Sequence, residues 1–113
     1  MRMHKVLVTY RYRDPIEFPS RALQYGKPSP RTVREVEAIV CQLLDPIDAK
    51  ILEAAPRLRI IANVAAGYEN IDLRAAKARG IYVTHVPHAT TEATADLTWA
   101  LILSVTRRVV EGD

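Results

Sequence analysis

The sequence predicts an α/β fold built on an open parallel sheet, and three observations carry that expectation. Short apolar runs rich in Val and Ile recur along the chain, as buried strands do. Segments of about ten residues with helical spacing lie between them. Each of these segments is bounded by a capping Asp or Thr and by Pro or Gly. Strands alternating with helices pair in parallel through right-handed crossovers.

The first predicted strand covers residues 5–10. Residues 11–30 hold Pro15, Pro19, Pro28 and Pro30, and Pro19 and Gly26 bracket one short helix over residues 20–25. A second short helix is expected over 32–37 and a second strand over 38–43. Asp45-Pro46 breaks that strand, and Asp48 caps a helix carrying Ile51, Leu52 and Ala55, which Pro56 ends. A strand over 58–63 leads into the small-residue turn Ala65-Ala66-Gly67. Asp72 then caps a helix with Leu73, Ala76 and Lys77, and Gly80 supplies the left-handed residue past its end. Residues 81–84 form the last strand, closed by Val86-Pro87. A long helix is expected from Thr91 to about Val110, with Glu92 in its first turn and Arg107 and Arg108 in its last. Its apolar residues, among them Leu97, Trp99, Leu101, Ile102, Leu103 and Val105, surround most of its circumference. Such a helix needs cover on nearly every side, of which a thin sheet provides one. Trp99 is expected to pack the helix rather than to form a ligand platform.

A chain of 113 residues with 49% apolar and 26% charged residues matches one ordinary globular domain. The single Cys41 excludes an internal disulfide and fits a reducing compartment. The first residues have neither the apolar length nor the small-residue cleavage site of a signal peptide. No stretch approaches the roughly 20 apolar residues of a membrane helix. The expected location is cytoplasmic. The net charge of +3 is uneven: the first 34 residues hold eight Lys or Arg against Asp14 and Glu17, leaving the remainder at −3. Tyr10-Arg11-Tyr12-Arg13 has the cation and ring pattern of a nucleic-acid surface, but no recognition module accompanies it, and a solvated basic loop is the reading preferred.

Open parallel sheets bind ligands beyond the carboxyl ends of their strands. Three loops qualify: residues 44–46, 64–70 and 85–90. In the middle one, Ala65, Ala66 and Gly67 let backbone N–H groups approach an anion such as a carboxylate; a plain tight turn is the alternative. His85 and His88 flank Pro87 on a turn and lack a third ligand in register, so neither a metal site nor a catalytic role is expected. Cys41 reads as a small core residue, and Asp48 and Asp72 as caps rather than as members of a carboxylate pair with Asp45 or Glu69.

The run Ile61-Ala62-Asn63-Val64-Ala65-Ala66-Gly67-Tyr68-Glu69-Asn70-Ile71-Asp72, followed by Arg79-Gly80-Ile81, Val83-Thr84 and Pro87, resembles the D-isomer-specific 2-hydroxyacid dehydrogenases. Thr91-Glu92-Ala93-Thr94-Ala95-Asp96-Leu97 and Arg107-Arg108-Val109-Val110-Glu111-Gly112-Asp113 extend the likeness, whose nearest flavour is the glyoxylate/hydroxypyruvate reductase branch. It is continuous over residues 38–113 and looser over 5–9. The resemblance implies a flavodoxin-like substrate domain over 1–90, followed by an interdomain and dimerisation helix over 91–113. It assigns the substrate carboxylate to the amides of Ala66 and Gly67, the cleft lining to Leu43 and Leu44, and the nicotinamide-ribose side of the cleft to Thr91 and Thr94. NAD or NADP serves the complete family, and a small 2-keto or 2-hydroxy acid is the substrate.

Three departures limit what this sequence does alone. The four glycines cannot make the G-x-G-x-x-G cofactor fingerprint, which in the family follows about forty residues later. The family's substrate-binding Arg and its His with an orienting carboxylate have no counterpart, so no catalytic residue is assigned. Region 11–37 is short for the family, which predicts four strands, or five if a second strand fits, and His85 and His88 replace the usual Asn and Gly. The expectation is a dehydrogenase segment that binds no cofactor and is inactive by itself. A non-catalytic flavodoxin-like binding or interaction module is the alternative.

Overall fold

The structure, a computed structural model, describes residues 4–10 and 23–112. Its sheet has five parallel strands, β1 (Val6–Val8), β2 (Leu23–Tyr25), β3 (Ala38–Cys41), β4 (Ile60–Asn63) and β5 (Tyr82–Thr84), in the order β2-β1-β3-β4-β5. This is the flavodoxin-like order. Residues 11–22 fall outside the described residues, and with them Arg11, Tyr12 and Arg13 of the basic patch and residues 20–22 of the expected 20–25 helix. Residues 23–25 are a strand, not a helix. Leu23, Gln24 and Tyr25 pair with Val6, Leu7 and Val8, and Gly26 N–H donates to the Val8 carbonyl at 3.2 Å. The ladder of an edge position outweighs the weak Pro and Gly bracketing. The sheet therefore has five strands, the fifth being the one the sequence left open.

The expected 32–37 helix is a single turn. Ser29 and Thr32 hydrogen-bond one another's backbone and side chains, and Val33 N–H reaches the Ser29 carbonyl at 3.1 Å. Glu37 N–H must then meet the Lys5 carbonyl at 2.8 Å to start β3, which ends the turn. It still buries Val33 and Val36 completely.

The two short helices are α1 (Ala49–Glu53) and α2 (Leu73–Ala78). Asp48 and Asp72 cap them as expected, each accepting from the N–H three residues on, at 2.9 Å. Gly80 adopts φ +66°, the left-handed form that closes α2. Both helices lie against the sheet face on which Leu7, Ile39, Ile61 and Val83 stand in one row of register. With Ile47, Ile51, Leu52, Ala55 and Ile71 this row makes the core. On the other face Ile60 and Tyr82 are exposed.

Helix α3 (Thr91–Thr106) departs most from expectation. It touches no other described helix or strand, and Leu97, Trp99, Leu101, Leu103 and Val105 are all more than half exposed. The sheet covers none of it, and Trp99 packs on no second element. The helix also stops short of Val110. Arg108 takes φ +52°, its N–H meets the Val105 carbonyl at 3.1 Å, and Val109 N–H meets the Ser104 carbonyl at 2.9 Å. This pair of bonds is a Schellman closure with Arg where Gly is usual. It puts Arg107 and Arg108 beyond the last helical turn. Arg108→Gly relieves the strain of a left-handed side chain, and thermal unfolding of α3 by circular dichroism is expected to show a gain of about 0.5–1 kcal/mol.

Candidate functional site

Three loops meet at the carboxyl ends of β3, β4 and β5, and a polar network joins them. Asn63, the last residue of β4, is almost fully buried. Its Nδ2 donates to the Gly67 carbonyl and to Asn70 Oδ1, each at 3.0 Å. Asn70 Nδ2 donates in turn to the carbonyls of Gln42 at 3.0 Å and Asp45 at 2.9 Å. The loop after β4 is thus stapled to the loop after β3. Asp45 tightens the latter, accepting from Gln42 N–H at 2.9 Å and from the Thr9 hydroxyl. Asp45 is a turn clamp, not half of a catalytic carboxylate pair.

Cys41 lies beneath this network and donates its thiol to Asn63 Oδ1 at 3.3 Å. Burial first, and the Asp45 carboxylate second, push the thiol from its ordinary 9.0 up to about 12. Above pH 9.0 an unfolded chain loses this proton while the folded chain keeps it, so Cys41 lowers stability as pH rises from 9.0 to about 12 and is neutral below. At pH 8 the folded protein is expected to resist iodoacetamide and to react at once in urea. Cys41→Ala is expected to flatten the alkaline slope of the denaturant midpoint.

Above the network, Leu43 and Leu44 face Glu69 and Asn70 across an open groove also lined by Pro46. Leu44 is 90% exposed, a large apolar side chain held at the rim. Between the strand ends, the backbone of residues 65–68 is held entirely by its carbonyls. Ala65 O accepts from Val86 N–H at 2.9 Å, and Ala66 O from His85 Nδ1 at 2.8 Å. Gly67 O accepts from Asn63, and Tyr68 O from Ile71 N–H at 3.0 Å. Among the described residues, the N–H groups of residues 66–69 donate to no protein acceptor. Such a row of free amides on a fixed turn suits an anion.

Gly67 needs no unusual backbone angle; what it provides is space. A Cβ there would collide with the Glu69 carboxylate, which folds against it. Leu43 and the turn at Ala66 and Gly67 thus belong to two loops tied by Asn70, and Glu69 both lines the Leu43 groove and folds against Gly67. Thr91 and Thr94 sit apart, at the start of the free helix α3. Asn63, Asn70 and His85 are the residues that sequence reasoning did not assign to the site. Asn63 and Asn70 stand out in retrospect as polar residues flanking a strand-end turn, one of them within an apolar strand. Among the described residues no three His, Cys, Asp or Glu side chains gather as metal ligands. None of the described helices is long and apolar enough to cross a membrane.

A nicotinamide cofactor does not fit the residues present. No described turn carries the glycines that let a backbone wrap a pyrophosphate: residues 42–48 have none and residues 64–72 only Gly67.

Residues 22–111 match the family described as D-isomer specific 2-hydroxyacid dehydrogenase, catalytic domain. The glyoxylate reductase of Thermococcus litoralis is 56% identical over 102 residues, 90% of this chain and 29% of its own. That of Thermococcus kodakarensis is 52% identical over 83 residues, 74% of this chain and 25% of its own. The chain thus spans about a quarter of the length of these curated relatives. Among solved structures, a Thermus thermophilus protein superposes with a TM-score of 0.76 at 37% identity, over 96% of this chain and 38% of that one. The Aquifex aeolicus D-lactate dehydrogenase complexed with NAD and lactic acid gives 0.79 at 28% identity, over 93% of this chain and 34% of that one.

Proposed function

Given that the chain belongs to the D-isomer-specific 2-hydroxyacid dehydrogenase family, we propose that it forms the carboxylate-binding half of an active-site cleft for a small 2-keto or 2-hydroxy acid of the glyoxylate or hydroxypyruvate kind. The observation that carries this reading is the row of free amides over Ala66 and Gly67. The carboxylate of the acid accepts from these N–H groups in place of water. Leu43 and Leu44 shield one side of the ligand and strengthen those bonds by lowering the local dielectric. The exposed Glu69 side chain swings off Gly67 to admit the ligand. Thr91 and Thr94 border the side from which a nicotinamide approaches in a complete enzyme using NAD or NADP.

The 113-residue chain holds the acid without converting it, because it has neither a proton donor at the keto oxygen nor a cradle for the hydride carrier. Assays with NADH or NADPH plus glyoxylate or hydroxypyruvate are expected to show no turnover; turnover above background by the pure chain would defeat this part. Titration with glyoxylate is expected to move the amide resonances of Ala66 and Gly67 at millimolar ligand, and a flat response would remove the cradle. Gly67→Ala separates binding from folding. The colliding group is a flexible, exposed side chain, so stability is expected to change by less than about 1 kcal/mol, while the methyl blocks the ligand and abolishes the shifts.

A second reading concerns association. Helix α3 leaves its apolar surface uncovered, and exposed apolar surface of this extent marks an interface. The occupant proposed is a second copy of the chain, paired through α3. Light scattering is expected to give a dimer that Leu101→Glu with Val105→Glu returns to monomer; a clean monomer in the wild type would end the idea. A cytoplasmic, soluble setting is consistent with this assignment and forms part of the proposal.

A further inference from the structure

We propose that His85 is a positioning residue of the carboxylate cradle, holding the peptide between Ala66 and Gly67 so that the Gly67 N–H faces the ligand. The inference rests on the cradle reading and adds a residue to it. A carbonyl oxygen only accepts, so the 2.8 Å contact requires the proton on His85 Nδ1. In a trans peptide the N–H lies opposite the C=O, and no peptide in the described chain is cis. Fixing Ala66 O toward His85 therefore turns Gly67 N–H away from it.

The neighbouring peptides are fixed in the same way. Val86 N–H, one residue on from His85, holds Ala65 O, and Asn63 Nδ2 holds Gly67 O. Two strand ends thus grip three successive carbonyls, Asn63 from β4 and the His85-Val86 pair from β5. His85 makes the only side-chain hydrogen bond from the β5 side of this grip among the described residues. The Tyr68 ring meets the His85 ring edge to face, with centroids 5.2 Å apart, and fixes the imidazole plane from within the loop it holds. This arrangement depends on a hydrogen-bond donor at position 85 and not on a charge or a metal.

The test uses the 15N-labelled 113-residue chain as wild type, His85→Phe and His85→Asn, with glyoxylate as probe. Phe keeps a ring for Tyr68 and removes the donor; Asn restores an N–H donor on a shorter arm. In the ligand-free chain, His85→Phe is expected to lower the amide order parameters of Ala66, Gly67 and Tyr68 from about 0.85 toward 0.6. The amides of Leu52 and Ile61 in the core should stay fixed. Glyoxylate binding, followed at Gly67, is expected to weaken about tenfold in His85→Phe and to recover to within about threefold in His85→Asn. Unchanged loop order in His85→Phe would overturn the proposal whatever the ligand does. Failure of Asn to restore order would likewise overturn the hydrogen bond as the link. If the wild type binds no glyoxylate while His85→Phe still loosens the loop, the cradle reading fails and the positioning role stands.

Discussion

Asn70→Ala is expected to destabilise the protein by about 2–4 kcal/mol, seen as a fall in the urea midpoint with little change in slope. Asn70 Nδ2 donates to the carbonyls of Gln42 and Asp45, and its Oδ1 accepts a hydrogen bond from the buried Asn63 Nδ2. Alanine leaves the Asp45 carbonyl and one amide donor of Asn63 without partners, while the Gln42 carbonyl keeps the Asp45 N–H; an unmet polar group in a partly buried site costs about 1–3 kcal/mol. Asn70→Asp tests the same point differently. It has the shape of Asn but cannot donate, and it brings a negative charge toward the Asp45 carbonyl. It is expected to be at least as damaging as alanine near neutral pH, and a milder effect would show that the donors of Asn70 do not staple the loops. Loss of this staple also frees the loop after β4 from the loop after β3, so glyoxylate shifts at Gly67 are expected to vanish in both variants.

Ile61→Ala is expected to cost about 2–5 kcal/mol, enough to leave a small domain partly unfolded at room temperature. Ile61 is fully buried in the register row Leu7, Ile39, Ile61 and Val83, beneath the two short helices. Helices of five and six residues cannot stand alone, so they hold their place only through this row. The cavity left by alanine is lined by β-strand backbone that cannot collapse into it. Ile60→Ala, one residue earlier on the exposed face, is expected to cost less than about 1 kcal/mol. Chemical denaturation of the pair checks the alternation directly. Equal losses would mean that the face opposite the helices is covered in solution.

Much of this was legible in the sequence, for reasons that are local. Asp48 and Asp72 cap helices because a carboxylate three residues from a free N–H meets it through nearly any tertiary arrangement. Gly80 closes α2 for the same kind of reason, and the runs around Val6, Ile39 and Ile61 are strands because apolar β-branched segments between caps have little else to form. The turn at Ala66 and Gly67 was legible as a candidate site because small residues at a strand end leave amides uncovered.

What only the tertiary structure decided depends on residues distant in sequence. Residues 23–25 became an edge strand because β1 offered an open ladder, which outweighed their Pro and Gly boundaries. The polar residues Asn63, Asn70 and His85 acquired their roles from carbonyls 19 to 28 residues away, or from a turn that only the fold closes. Helix α3 carries apolar residues on every side, a pattern that says cover is needed but not where. Its end is fixed at Thr106 by the left-handed backbone at Arg108, a position that favours Gly and that no sequence rule places under Arg. Local capping and periodicity act through bonds three or four residues long, so the sequence alone determines them. Pairing, stapling and cover are choices among distant partners, and those the packed fold makes.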